Sequence, residues 1–255
     1  MLKVINARIA QGKRTVNYPG EAPVLPDRFR GMPWLSPALC GSGCDTCQSA
    51  GVCPTGAIGK GVKGPAIDLG RCIFCGSCER ACSLGAVKFT NDHQLAARDR
   101  GDLVIDGAMT FRHANAMKAD LLKIFGRSLR LRQVSAGGCN ACEADVNVLN
   151  TVVFDLSRFG IQFVASPRHA DGLLVTGPGT KNMELALRKT WEATPAPKFV
   201  IASGACAISG GLFAGHPETC RGADEVLPVD LFIPGCPPHP FTVLDGLLRL
   251  VGKVS

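Results

Sequence analysis

Residues 131–143 read Leu-Arg-Gln-Val-Ser-Ala-Gly-Gly-Cys-Asn-Ala-Cys-Glu. Leu131–Val134 has the texture of a short strand, and the small residues behind it break the chain into a loop that carries Cys139 and Cys142. Apolar positions at helical spacing follow over 144–159. The same phrase of strand, glycine loop and helix then repeats. Ile161–Ala165 is strand-like. Gly172–Thr176 is a short apolar strand closed by Gly177-Pro178-Gly179-Thr180, and Lys181–Ala193 is helical. Lys198–Ala202 ends in Ser203-Gly204-Ala205-Cys206. Val229–Ile233 ends in Pro234-Gly235-Cys236-Pro237-Pro238, and His239–Lys253 closes with a helix. Strands alternating with helices predict an α/β fold, a doubly wound, flavodoxin-like parallel sheet.

Position is the informative part. Cys139, Cys142, Cys206 and Cys236 all follow predicted strand ends. Ligands of an open α/β sheet gather outside the carboxyl ends of its strands, so three separate loops can deliver four thiolates to one point. A [4Fe-4S] cluster is the group such a set fits. Nearby glycines would let backbone N–H groups approach the cluster sulfurs.

Upstream, Cys72, Cys75, Cys78 and Cys82 are spaced C-x2-C-x2-C-x3-C, the bacterial ferredoxin run. A second run, Cys40, Cys44, Cys47 and Cys53-Pro54, precedes it. Each run leads into a related phrase, Pro54-Thr55-Gly56-Ala57-Ile58 and Ser83-Leu84-Gly85-Ala86-Val87, so the segment is an internal duplication. The last cysteine of such a run ligates the other cluster. Crossed ligation assigns Cys40, Cys44, Cys47 and Cys82 to one cluster, and Cys72, Cys75, Cys78 and Cys53 to a second. Paired zinc sites are the competing reading, but they use CxxC pairs set well apart rather than four cysteines in so short a run. Residues 40–90 therefore predict a small α+β ferredoxin domain, too poor in large apolar side chains to fold without its metal.

The 255 residues hold 13 cysteines, an odd number, and Cys220 in a polar loop fits neither pattern. No signal peptide is expected at Met1–Ala10, and no apolar run is long enough to span a membrane. Reduced thiols then mean metal rather than disulfides. The formal charge of +7 invites a nucleic-acid reading. Three clusters would offset roughly −6 of it, and the cations are scattered rather than striped with aromatics, so no nucleic-acid partner is expected. Residues 1–39, with prolines at 19, 23, 26, 33 and 37, read as an extended arm with a candidate edge strand at Arg14–Pro19. Residues 91–130 read as a linker, polar and loop-like over Asn91–Asp102. It includes a packing helix over Ala114–Leu129 with Met117, Leu121, Leu122, Ile124 and Phe125 on one face.

Residues 131–255 resemble the small electron-transfer subunit shared by [NiFe] hydrogenases and respiratory complex I, the 20 kDa type. The resemblance rests on GGCNACE, SPRHAD, VTGPGT, ASGACAISGG and FIPGCPPHP. Residues 14–90 resemble the separate ferredoxin subunit of the same complexes, so the fusion is a departure. Complex I carries adjacent cysteines at the first position, whereas Cys139 and Cys142 are separated by two residues, the hydrogenase form. The segment also lacks the additional C-terminal cluster domain of uptake hydrogenases, and is most similar to formate hydrogenlyase and hydrogenase-4 small subunits.

The resemblance implies an oxidoreductase subunit relaying electrons through three [4Fe-4S] clusters to or from an active site on a partner large subunit. A complex-I-like module feeding quinone is the alternative. It implies further hydrophilic and membrane-arm subunits as partners, and a peripheral place on the cytoplasmic side of the inner membrane. Glu143 resembles a hydrogenase glutamate of proton transfer, though a first-turn carboxylate favoured by the helix dipole reads equally well. Arg168 and His169 resemble a loop that faces the large subunit, and His239 reads as a helix start rather than a ligand.

Overall fold

In the computed structural model, which describes residues 2–40, 48–61, 65–107 and 111–254, a five-stranded all-parallel sheet stands where the alternation predicts it. Ahead of it lie five short strands: β1 (Pro33–Leu35), β2 (Ile58–Lys60), β3 (Pro65–Asp68), β4 (Val87–Phe89) and β5 (Val104–Asp106). The parallel strands are β6 (Leu129–Ser135), β7 (Ile161–Phe163), β8 (Gly172–Thr176), β9 (Phe199–Ser203) and β10 (Leu231–Ile233). Their order is β10-β9-β8-β6-β7. Counted within the domain this is the flavodoxin-like arrangement, whose direction of winding reverses between its first and third strands, here β6 and β8. Every residue of β8 and β9 is buried, as strands covered on both faces must be, which is why both read as unbroken apolar runs.

The helices are α1 (Leu2–Gln11), α2 (Pro37–Cys40), α3 (Gln48–Gly51), α4 (Ser77–Ala81), α5 (Ala119–Phe125), α6 (Ala141–Val148), α7 (Lys181–Ala193), α8 (Ala205–Ser209) and α9 (Pro240–Leu250). All of α9 is buried, including Asp245 and Arg249, which pair with each other at 2.7 Å. A helix buried all round needs a cover on its far side. The amino-terminal arm and the segment after residue 90 supply it. Tyr18 donates its hydroxyl hydrogen to Asp245 Oδ1 at 2.7 Å, and His93 Nε2 lies 3.2 Å from the same hydroxyl. Arg158 donates to the Val16 and Tyr18 carbonyls.

The duplicated half carries its symmetry into the pairing. The strand before one cysteine run pairs antiparallel with the strand after the other: β1 with β4, and β2 with β3. β5 extends the second pair by joining β3. One apolar cluster then runs from Leu35, Ile67 and Leu69 through Leu95 and Leu103 to Val175, Val200 and Phe232, so both halves share a core.

The structure departs from the sequence expectations at several elements. Leu2–Gln11 of the arm is helical, because its prolines begin only at residue 19. Arg14–Pro19 forms no strand; Val16 instead makes a single backbone bond to Val153. Residues 91–99 are a loop, as expected, but not a polar one throughout: Leu95, Ala96 and Ala97 are buried, and Ala97 bridges to Phe232 at the sheet edge. The helix expected over 114–129 contracts to α5. The Ala114 and Met117 N–H groups are taken by the Ala96 and Leu250 carbonyls, and Leu129 already pairs with Ile161. The helix expected to Phe159 ends at Val148, where the Thr151 N–H and hydroxyl both donate to the Val148 carbonyl in a tight turn, and a 3-10 turn follows at Leu156–Phe159.

Candidate iron–sulfur sites

The sheet end builds the first site. β6 runs out at Ser135, and Asn140 turns the chain into α6 with φ 70°, a left-handed conformation that Asn tolerates better than most side chains. That turn places Cys139 before the helix and Cys142 in its first turn. Cys206 opens α8 just past the end of β9, and Cys236 follows β10. Burial, then Cys206, Glu143, Cys236 and Cys139, push the Cys142 thiol up to about 12. Burial, then Cys236 and Cys139, push Cys206 up to about 11. Thiols raised in this way stay protonated unless a cation holds them, which the iron of a cubane would supply.

Gly204 shows how tightly the loops close. Its φ is 94°, and a Cβ there would lie 2.6 Å from Cys142 Sγ. The backbone locks the loops together through Gly204 N–H to the Ile233 carbonyl and Ala205 N–H to the Gly235 carbonyl, both at 2.8 Å. Cys142 and Cys206 are half-buried while Cys139 and Cys236 are exposed, so the group of thiols opens on the surface at the carboxyl end of the sheet.

Glu143 is buried at 6% exposure and accepts a hydrogen bond of 2.7 Å from Thr176 Oγ1 at the end of β8. It is therefore anchored to the switch-point strand. Nothing in the residue pattern singled out Thr176, beyond its place in VTGPGT. His239 caps α9 by accepting from the Phe241 N–H at 3.2 Å. Arg168 and His169 sit in a 3-10 turn beyond β7, neither of them buried. Cys220 is buried apart from these groups, its sulfur 3.9 Å from Lys181 Nζ.

The second site lies in the duplicated half. Cys53, Cys72, Cys75 and Cys78 line one apolar cavity with Ile58, Ile67 and Phe89. Burial pushes the Cys72 thiol up to about 12, with Cys78, Cys53 and Cys75 adding to the rise. Burial likewise raises Cys78. Burial also acts on Cys75, but hydrogen bonds with Ser77 and the Arg80 charge outweigh it and lower this thiol. The structure thus brings Cys53 from the first run to three cysteines of the second.

The two related phrases fold alike. Ala57 N–H donates to Cys53 Sγ at 3.3 Å, and Ala86 N–H donates to Cys82 Sγ at 3.2 Å. Gly56 and Gly85 make the turn at φ 59° and 63°. Amides aimed at sulfur are the surroundings that a ligating thiolate requires. Phe74, between Cys72 and Cys75, sits at φ 53°, rare for an aromatic side chain, and its N–H points at Cys72 Sγ at 3.3 Å. Of the remaining set, Cys40 closes α2 and Cys82 caps α4, while Cys44 and Cys47 lie outside the described residues. Donor type, grouping and the amides aimed at sulfur all fit [4Fe-4S] clusters.

Thiols grouped at strand ends of a flavodoxin-like sheet, beside a duplicated cysteine-run unit, define an iron–sulfur oxidoreductase subunit of the α/β class. Residues 139–250 match the family model described as NADH ubiquinone oxidoreductase, 20 Kd subunit, and residues 65–88 match the 4Fe-4S binding domain. The chain belongs to that 20 kDa subunit family. It is 45% identical over 142 residues to formate hydrogenlyase subunit 7 of Escherichia coli, covering 55% of each chain. It is 43% identical over 137 residues to the "Probable membrane-bound hydrogenase subunit mbhJ" of Pyrococcus furiosus, covering 54% of this chain and 82% of the relative. An NADH-quinone oxidoreductase subunit of Citrifermentans bemidjiense is 45% identical over 118 residues, or 46% of this chain and 69% of the relative. The chain thus spans about half the length of the formate hydrogenlyase subunit it matches. No helix among the described residues is long and apolar enough to cross a membrane.

Proposed function

We propose that this chain is an electron-relay subunit of a membrane-associated, hydrogenase-like complex of the formate hydrogenlyase type. In this reading residues 40–90 and 131–255 are its two cluster-bearing units. The twelve cysteines hold three [4Fe-4S] clusters in the sets Cys40, Cys44, Cys47 and Cys82; Cys72, Cys75, Cys78 and Cys53; and Cys139, Cys142, Cys206 and Cys236. Such clusters, once bound, exchange one electron at a time. The observation that carries the reading is that Cys139, Cys142, Cys206 and Cys236 all lie just past the ends of β6, β9 and β10, with Cys139 and Cys236 open to the surface. An exposed cluster-binding face at the end of the sheet is where a large subunit with the active site would dock. The protein's own part is to fix the thiols, aim amides at their sulfurs and exclude water from Cys72 and Cys78. Glu143, held by Thr176 beside Cys142, would carry protons at that interface.

The relatives named for formate hydrogenlyase and membrane-bound hydrogenase support this assignment, as does the two-residue spacing of Cys139 and Cys142. The quinone-linked relatives favour the second reading, in which the same relay feeds a quinone pocket. Peripheral attachment on the cytoplasmic side of the membrane, through partner subunits, belongs to both. Anaerobic iron analysis of the purified chain should give about twelve irons, four per cubane. Eight irons, with the loss unmoved by Cys206→Ser, would remove the third site. Cys206→Ser should spare the ferredoxin-type EPR signals while ending turnover in the assembled complex.

A further inference from the structure

The arm crosses the junction of the two thiol-bearing halves and places a cation there. A cavity of about 200 Å3 is lined by Arg28 and Arg30 of the arm, Phe74 of the Cys72–Cys78 loop, and Cys236 and His239 beyond β10. Arg30 lies directly on the cysteine loop: a Cβ built on Gly76 would be 2.6 Å from Arg30 Nε and 3.1 Å from Cζ. Gly76 is itself buried, between Cys75 and Cys78. Among the described residues, Arg30 forms no ion pair and no hydrogen bond. Its backbone is nonetheless held from both sides. The Phe29 ring stands edge-on to His239 at 5.3 Å. On the other side, Gly31 N–H donates to the Thr90 carbonyl at 2.7 Å and Met32 N–H to the Asp92 carbonyl at 2.8 Å. A half-buried guanidinium with no carboxylate partner among the described residues calls for an anion nearby. The thiolate loop under it is the anion that this site would contain.

We propose that Arg30, alongside Arg80 on the same loop, is an electrostatic partner of the cluster held by Cys53, Cys72, Cys75 and Cys78, and that its charge raises that cluster's reduction potential at the junction facing Cys236. The proposal rests on the cluster assignment of the preceding subsection. Reduction adds one negative charge to the cluster. A half-buried cation against the loop favours the reduced state. The arm thereby biases the relay step between the two halves. It does so from outside both cysteine runs.

An EPR-monitored redox titration of the full-length chain with its clusters tests this, following the signal that Cys75→Ser abolishes. In Arg30→Gln the ratio of reduced to oxidised cluster at a fixed potential should fall about tenfold, or 59 mV for a one-electron couple. Arg30→Lys, which keeps the charge, should stay within about twofold of the parent, and the iron content of both should match it. An unshifted signal in Arg30→Gln would overturn the proposal. So would equal shifts in Arg30→Gln and Arg30→Lys, which would make shape rather than charge the cause. A parent chain that gives no reducible cluster signal would overturn the cluster assignment and this proposal with it.

Discussion

At Gly204 one hydrogen atom decides whether a site exists. With φ at 94° and a prospective Cβ 2.6 Å from Cys142 Sγ, no other residue leaves that sulfur in place. Gly204→Ala should cost about 1–3 kcal/mol of stability through backbone strain and the displaced sulfur. The purified variant should also lose about a third of its iron by anaerobic analysis. Full iron content would mean that Cys142 holds none. Histidines make a second residue-scale case. Burial lowers the pKa of His93 and His113 below the ordinary 6.5. In the folded chain they therefore resist protons that the unfolded chain accepts. At pH 7.5 both states are neutral and nothing is lost; as pH falls through 6.5 the unfolded state gains protons first and stability drops. Denaturation midpoints should accordingly be lower at pH 5.5 than at pH 7.5. The difference should shrink in a His93→Gln, His113→Gln double variant.

At the scale of elements, α9 explains why the arm is ordered where it is. Its Asp245–Arg249 pair, closed at 2.7 Å, is 0% and 5% exposed. A buried ion pair stabilises only when its remaining hydrogen-bonding capacity is met. Tyr18 meets it from the arm, and burial followed by the Asp245 hydrogen bond raises that hydroxyl's pKa far above the usual value. Tyr18→Phe should cost about 1–2 kcal/mol in chemical denaturation, since it strips a charged acceptor of its donor. Arg249→Leu should cost more, about 3–5 kcal/mol, because it leaves Asp245 buried without its cation. Equal costs would mean that the arm hydroxyl matters as much as the ion pair. The duplicated phrases behave as elements too, with the same N–H to sulfur bond at Cys53 and Cys82 and the same left-handed glycine.

Among the described residues two apolar clusters organise the molecule, one shared by the duplicated half and the sheet and one between the sheet and α9. Because the apolar cluster joins Leu35, Ile67 and Leu103 to Val175 and Val200, neither half is a bead on a string. Yet among its described residues the duplicated half has strands of three or four residues and helices of four or five, short enough that the proposed clusters would be needed to hold them. Removal of iron by acid and chelator should therefore open residues 48–90 to protease well before residues 129–250, whose buried strands and α9 carry their own core. Simultaneous cleavage in both regions would show that the shared core fails as one unit.

Much of this was legible in one dimension. Cysteine spacing is a local property, so the two runs and their duplicated tails declared themselves without any fold. The parallel sheet was readable because β8 and β9 are buried on both faces and show it as unbroken apolar runs. Elements whose structure depends on distant partners were misread. The segment Asn91–Asp102 looks polar in sequence but buries Leu95, Ala96 and Ala97 against α9 and the sheet edge. The expected long helix at 114–129 loses its first turns to carbonyls of Ala96 and Leu250, groups no local pattern could reveal.

The sequence by itself therefore determined the chemistry: which side chains are thiols, how far apart they lie along the chain, and that strand ends carry four of them. Only the tertiary structure decided that Cys53 lines one cavity with Cys72, Cys75 and Cys78, that Glu143 is tied to Thr176, and that Arg30 lies over Gly76. The reason is physical. Spacing along the chain fixes what one loop can reach, whereas convergence of β6, β9 and β10 and the path of the arm are set by burial of α9 and the sheet, a sum over the entire core.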